Sequence, residues 1–370
     1  MHRDTEILHA GYRDHHANGP FMNGPQFSAT YVASGEPSEH RYTYGRTGNP
    51  TWSAWEDALG KIDGGESVAF ASGMAASAAI FGTVLRPGDV VVMPADSYYT
   101  TRMVASGWLD SIGIKVRSAP TRDNAQLHHL DGARLLWIET PTNPQLDVCD
   151  IALLVRAAHT HGALVAVDNT TATGYLQHPL RLGADFVIAS DTKALTGHSD
   201  IILGHVSTQD AEKATALRTW RTQQGAIPGP MEVWLAHRSL ATLGVRSARQ
   251  CATAMALAST LAADKSVSAV YYPGLESHPG HAIARAQMEA YGPVVSFDLA
   301  TRSRAEKFLG SLTLVREATS FGGVHSSAER RARWGGDAIS EGFIRFSVGL
   351  ESAEDLLADV ATALRAAGRA

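Results

Sequence analysis

Between Gly64 and Leu203 the chain alternates short apolar runs with stretches of helical spacing, a rhythm that few folds accommodate. The runs are Ser67–Phe70, Val90–Met93, Leu135–Ile138, Leu164–Val167, Phe186–Ala189 and Ile201–Leu203. Each is short, rich in β-branched or aromatic residues, and bounded by turn formers. That is the pattern of strands buried on both faces of a mostly parallel sheet. Ala75–Leu85 and Ala152–His159 lie between runs and have helical spacing. The alternation predicts an α/β layer architecture.

The flanking regions read differently. The first fifty residues have weak periodicity and many Gly, Pro, Asn and His, so they predict an extended arm rather than a packed layer. Around Gly225–Arg246 a long helical stretch follows the run GAIPGP. Val294–Leu299 and Phe343–Val348 alternate as strands half exposed to water would. Ala353–Ala367 is an amphipathic terminal helix that Ser352 is placed to cap. The expected division of the 370 residues is an N-terminal arm (1–50), a large domain (51–243) and a smaller α+β domain (244–370).

Several function classes are disfavoured. A net charge of −5 suggests no polyanion partner, so nucleic acid is not expected. No apolar run approaches membrane-spanning length, and Met1–Asp14 is polar, unlike the apolar part of a signal peptide. Cys149 and Cys251 lie far apart in sequence, which fits a reducing cytoplasm. The histidines, among them His15, His16, His128, His129, His159 and His161, show no metal-ligand spacing, so no metal is expected.

In open α/β sheets, ligands bind at the carboxyl ends of the strands. The run Leu164–Val167 ends in Asp168–Asn169–Thr170, and Phe186–Ala189 ends in Ser190–Asp191–Thr192–Lys193. Two strand ends therefore deliver a carboxylate and an amine. Ser67–Phe70 ends in Ala71–Ser72–Gly73–Met74 and an alanine-rich helix. A glycine turn entering a helix presents backbone N–H groups and the positive dipole end to a phosphate. Singly, these are a loop lysine, a capping aspartate and a helix start. Together they match the needs of pyridoxal 5'-phosphate (PLP): a phosphate anchor, a partner for the ring nitrogen and a Schiff-base lysine. A nucleotide-binding oxidoreductase competes for the same alternation, but no GxGxxG follows the first run.

Seven ordered blocks carry a family resemblance. They are YGRTGNPT (Tyr44–Thr51), ASGMAA, ETPTNP (Glu139–Pro144), VDNTTAT, SDTKALTGHSD (Ser190–Asp200), SFGG (Ser320–Gly323) and RFSVGLE (Arg345–Glu351). Over nearly its whole length the chain resembles the Cys/Met-metabolism PLP enzymes, which include cystathionine γ-lyases, γ-synthases and β-lyases and methionine γ-lyases. The resemblance implies the fold type I, aspartate-aminotransferase-like architecture and a homotetramer built from pairs that share active sites.

The same resemblance implies residue roles. Lys193 would hold the cofactor and shuttle protons, and Asp168 would pair with the pyridine nitrogen. Ser190, Thr192, Gly73 and Met74 would hold the phosphate, and Tyr44 and Arg46 would reach the phosphate of the neighbouring subunit. Tyr98 would stack on the ring and assist proton transfer, with Asn143 near the ring hydroxyl. Arg345, aided by Ser320, would clamp the substrate carboxylate. Thr319 and Glu329 would belong to the substrate pocket.

The chain departs from the family pattern at the pocket rim. Tyr98–Tyr99–Thr100–Thr101 stands where Tyr-Gly-Gly-Thr is usual, and Thr100 replaces the reactive Cys of methionine γ-lyases. Met103 stands where the lyases have Arg, with Arg102 one position earlier. Thr319, Phe321 and His325 sit where relatives differ. The expected activity is α,γ-elimination as in cystathionine γ-lyase, with γ-replacement or β-elimination as alternatives. A non-catalytic PLP-binding protein is disfavoured by the joint presence of Lys193, Asp168 and Arg345.

Overall fold

The apolar runs assemble into a seven-stranded sheet in a computed structural model that describes residues 1–11 and 17–368. Asp14, His15 and His16 lie outside the described residues. The strands are β1 (Glu66–Phe70), β2 (Val90–Pro94), β3 (Lys115–Ala119), β4 (Leu135–Glu139), β5 (Leu164–Asp168), β6 (Phe186–Ser190) and β7 (Gly204–Thr208). Their order is β1-β7-β6-β5-β4-β2-β3. β7 runs antiparallel to both its neighbours, and the remaining pairs are parallel.

Alternate residues of one strand enter different cores, which is why these runs are apolar throughout. Leu135 and Trp137 pack with Phe81 of helix Gly73–Val84, whereas Leu136 and Ile138 pack with Leu154 of helix Ile151–Thr160. Two strands differ from expectation. Ile201–Leu203 is not a strand; β7 begins one residue later. Its His205 and Ser207 are buried against Asp63 and carry no apolar signal. β3 is an edge strand with a partly exposed KVRSA pattern, so it also lacks an apolar run.

The N-terminal arm is not wholly extended. Helix Arg3–His9 buries Ile7 against Trp52, Trp55 and Leu59 of helix Pro50–Asp63. That second helix begins where Asn49 Oδ1 accepts from Thr51 N at 2.8 Å, with Pro50 at its first position. It ends at Gly64, whose φ of 84° is left-handed. The predicted helical stretch over 225–246 divides into helices Pro230–Leu240 and Leu243–Ala263.

A second sheet comprises β8 (Ala269–Tyr271), β9 (Val294–Asp298), β10 (Arg316–Glu317), β11 (Ser327–Arg330) and β12 (Phe343–Ser347), in the order β10-β11-β12-β9-β8. β9 and β12 are buried on both faces, not half exposed. Val295, Phe297, Ile344 and Phe346 pack with Leu257 and Leu261 of helix Leu243–Ala263 and with Leu356 and Val360 of the terminal helix. The polar positions Ser296, Arg345 and Ser347 are buried too. They bond to loops, as where Ser296 Oγ donates to Pro144 O at 2.7 Å. The terminal helix spans Ala353–Ala367 as expected, although the Ser352 side chain makes no capping bond. Among the described residues, no helix is long and apolar enough to cross a membrane.

Phe346→Ala is expected to destabilise the fold by about 3–5 kcal/mol, because this fully buried ring leaves a cavity at the sheet–helix contact. Urea unfolding of the variant checks this; a loss below about 1 kcal/mol would mean the core collapses into the gap.

Candidate active site

The carboxyl ends of β4, β5 and β6 and the turn after β1 open on one cavity of about 450 Å³. Lys193 follows the end of β6. Its Nζ donates to Ser320 Oγ at 2.7 Å and lies 5.4 Å from the Phe321 ring centre. Burial pulls the amine's pKa down to about 8; the positive charge of Arg345 adds to this and Glu329 opposes it. Ser320 has a φ of 76°, a left-handed backbone that costs a non-glycine residue about 1–2 kcal/mol. In that conformation its hydroxyl meets Lys193 while its carbonyl accepts from Arg345 Nη2 at 2.9 Å.

Two carboxylates end adjacent strands in register, Glu139 on β4 and Asp168 on β5. Burial raises the pKa of Asp168, against a 3.0 Å hydrogen bond from Thr170 N. Glu139 is pushed well above the usual carboxylate range, first by burial and then by the neighbouring charge of Asp168. Its two oxygens accept from Tyr98 N at 2.7 Å and Asn143 N at 2.8 Å. The sequence showed Glu139 only as part of a motif. Its position at a parallel strand end was the available signal for a site role.

The opposite end of the cavity is built for an anion. Ser72 caps helix Gly73–Val84, its Oγ accepting from Ala75 N at 3.0 Å, so the helix N-terminus faces the cavity at Gly73 and Met74. A Cβ on Gly73 would stand 2.7 Å from Ser190 Cβ, so only glycine permits this approach. Thr192 lines the cavity as well, but its Oγ1 is engaged with Leu203, accepting from N at 3.0 Å and donating to O at 3.2 Å.

Arg345 is 3% exposed and its pKa is lowered to about 10 by burial. Nη1 donates to Asn143 Oδ1 at 2.7 Å, and Nη2 donates to Glu329 Oε1 at 2.5 Å. Glu329, expected in the substrate pocket, does not line the cavity. It is buried and accepts from Arg345, Arg331, Arg333 and Trp334, because its place on β11 surrounds it with cationic and N–H donors. Its contact with the site is made through Arg345, Arg331, Trp334 and Thr319, which line the cavity and donate to it. Thr319 and Phe321 are at the cavity, while His325 is exposed and away from it.

The two tyrosines have separate surroundings. Tyr98 is 40% exposed at the cavity; Tyr99 also lines it and lies against Gly336, with the Arg102 guanidinium 5.7 Å from its ring centre. Arg102 does not line the cavity. It donates to Ser97 O, Gly336 O and Asp337. Tyr44 and Arg46 are also away from the cavity of their own chain, where Arg46 Nη1 donates to Thr222 O at 3.1 Å. Arg331 and Trp334 do line it, from a short 3-10 helix (Arg331–Trp334) whose basic run RARW carried no periodicity to place it.

The fold and this cavity define a PLP-dependent enzyme of the aspartate-aminotransferase type. Gly73 and the helix N-terminus fit a phosphate, the buried Asp168 fits a protonated ring nitrogen, and Lys193 fits an aldehyde. The pattern of the Cys/Met metabolism PLP-dependent enzymes matches residues 4–365, and the chain belongs to that family. A Streptomyces coelicolor protein named "Putative cystathionine gamma-lyase" is 53% identical over 97% of this chain and 93% of its own. A cystathionine gamma-synthase of Mycobacterium tuberculosis is 40% identical over 97% and 96%. A Micromonospora echinospora structure described as a methionine gamma lyase is 41% identical with a TM-score of 0.92, covering 98% of this chain and 99% of that one. A Xanthomonas oryzae cystathionine gamma synthase in complex with cystathionine is 33% identical with a TM-score of 0.95, covering 100% and 99%.

Only the unprotonated amine attacks an aldehyde. With the Lys193 pKa lowered to about 8, the rate at which the apoenzyme captures PLP is expected to rise through pH 8 and level off above it. Stopped-flow absorbance across a pH series checks this; a rate still climbing steeply beyond pH 10 would show an amine with its ordinary pKa.

Proposed function

We propose that this chain cleaves carbon–sulfur bonds in sulfur amino acids, chiefly by α,γ-elimination of cystathionine. One observation carries the reading: Ser320 touches both the Lys193 amine and the Arg345 guanidinium. A proton acceptor and a carboxylate receptor thereby share one cavity wall. The γ-lyase name of the 53% identical relative supports γ-cleavage. Relatives named γ-synthase and β-lyase keep γ-replacement and β-elimination as the second reading.

Bound PLP supplies an aldehyde that bonds the substrate amine and a ring that accepts the electrons released at Cα. Arg345 receives the α-carboxylate, which orients the Cα–H bond toward Lys193. Lys193 Nζ, whose pKa of about 8 leaves about half of it as the free amine near pH 8, takes that proton and serves again as an acid, with Ser320 Oγ steering it. Asp168 would pair with the ring nitrogen. Ser190, Thr192, Gly73 and Met74 would hold the phosphate, with Tyr98 and Asn143, which also line the cavity, at the ring. For γ-cleavage a further proton leaves Cβ before the thiol departs from Cγ; for β-cleavage the thiol departs from Cβ directly.

The same proposal makes the enzyme a cytoplasmic homotetramer whose subunits pair to complete their sites, with divisions near residues 50 and 243. Support comes from the arm, whose Phe21, Phe27, Val32 and Tyr44 are exposed in the single chain. It also comes from Tyr44 and Arg46, which stand clear of their own cavity.

Incubation with L-cystathionine is expected to yield cysteine and 2-oxobutanoate, and Lys193→Ala to abolish turnover. Homocysteine with pyruvate would instead establish β-cleavage. Mixing Arg46→Ala with Lys193→Ala subunits is expected to restore part of the activity; no recovery after verified exchange would refute shared sites.

A further inference from the structure

Behind the phosphate end of the cavity lies a buried charge cluster that the chemistry above does not use. His205 on β7 is 2% exposed. Its Nδ1 is 2.5 Å from Asp191 Oδ1, and its Nε2 is 2.8 Å from Asp63 Oδ2. Ser207 Oγ donates to the same Asp63 oxygen at 2.6 Å. Burial alone would discharge the imidazole. The two carboxylates outweigh burial and raise its pKa to about 10, so His205 is an imidazolium. It offsets carboxylates that would otherwise stand uncompensated behind an anion-binding turn.

The position of this cluster ties it to the cradle. β7 lies between β1 and β6, and Gly204 is opposite both Phe70 and Ser190. A Cβ at Gly204 would lie 2.6 Å from Gly73 Cα, so β7 is in direct contact with the helix entry. His205, the next residue, grips Asp191 of the turn Ser190–Asp191–Thr192–Lys193. Asp191 O in turn accepts from Thr196 Oγ1 at 2.7 Å, which closes that turn. On its other side His205 is fixed by Asp63, in the last turn of helix Pro50–Asp63. The two arms of the cradle leave different strands, and β7 with its charged bridge sets the gap between them.

We propose that the Asp63–His205–Asp191 bridge is the positioning device of the phosphate cradle, selecting a phosphorylated cofactor over its unphosphorylated form. This rests on the placement of the phosphate at Gly73, Met74 and Ser190 proposed above. None of the three residues lines the cavity; the bridge acts through the Asp191 turn and through Gly204.

The test resolves full-length enzyme from its cofactor and titrates it with PLP and, separately, with pyridoxal, which lacks the phosphate. His205→Gln and the milder Asp63→Asn are compared with wild type, and Ser190→Ala serves as the cradle control. Both bridge variants are expected to weaken PLP binding roughly tenfold while leaving pyridoxal binding unchanged. A merely structural role would weaken both ligands alike, and that result, or no change in either, overturns the proposal. If His205→Gln does not fold, Asp63→Asn alone decides. Should Ser190→Ala also leave the PLP-to-pyridoxal ratio untouched, the phosphate placement itself falls and the bridge proposal with it. A ratio altered by Ser190→Ala but not by the bridge variants removes the bridge alone.

Discussion

The Arg345 guanidinium is the contact on which the site's geometry depends. It sits on β12 of the second sheet and is almost fully buried. A buried cation is tolerated only when its donors are satisfied, and here Asn143, Ser320 and Glu329 satisfy them. Asn143 belongs to the loop after β4 of the first sheet, so this one side chain joins the two sheets across the cavity. Its positive charge also lowers the pKa of Lys193, adding to the effect of burial. The group suited to hold a substrate carboxylate thus also prepares the amine suited to take a proton.

Glu329 shows how such a cation is kept in place. A lone buried arginine would swing toward solvent or bind whatever anion was near. Glu329 accepts from Arg345 on one side and from Arg331, Arg333 and Trp334 on the other. That network turns a flexible side chain into a fixed fork, at the expense of burying several charges together. Glu139 does the same for the first sheet. It anchors the backbone of Tyr98 and of Asn143 with one carboxylate, tying the loops after β2 and β4 to each other. Asn143 then hands that rigidity to Arg345.

Much of this could be read from residue order. Apolar runs of three or four residues with helical stretches between them leave little choice but a parallel sheet covered on both faces, since each run must bury both sides. Strand ends in such sheets gather the ligand, so Gly73, Asp168 and Lys193 were legible as one site although 120 positions separate Gly73 from Lys193. Polar strands were not legible. β7 is buried through His205 and Ser207, whose partners Asp63 and Asp191 come from elsewhere in the chain. No local pattern records such pairing.

The sequence by itself determined the layer architecture, the family and the residues equipped for PLP chemistry, because periodicity and motif order are properties of the chain alone. Tertiary structure decided what those residues are able to do. Burial lowers the pKa of Lys193 to about 8, and Arg345, from a strand 152 positions away, adds to that effect. Glu329 does not line the cavity, because its carboxylate is taken up by donors from Arg345, Arg331, Arg333, Trp334 and Thr319. Burial and the identity of the nearest charge set both outcomes, and neither is defined until distant segments pack.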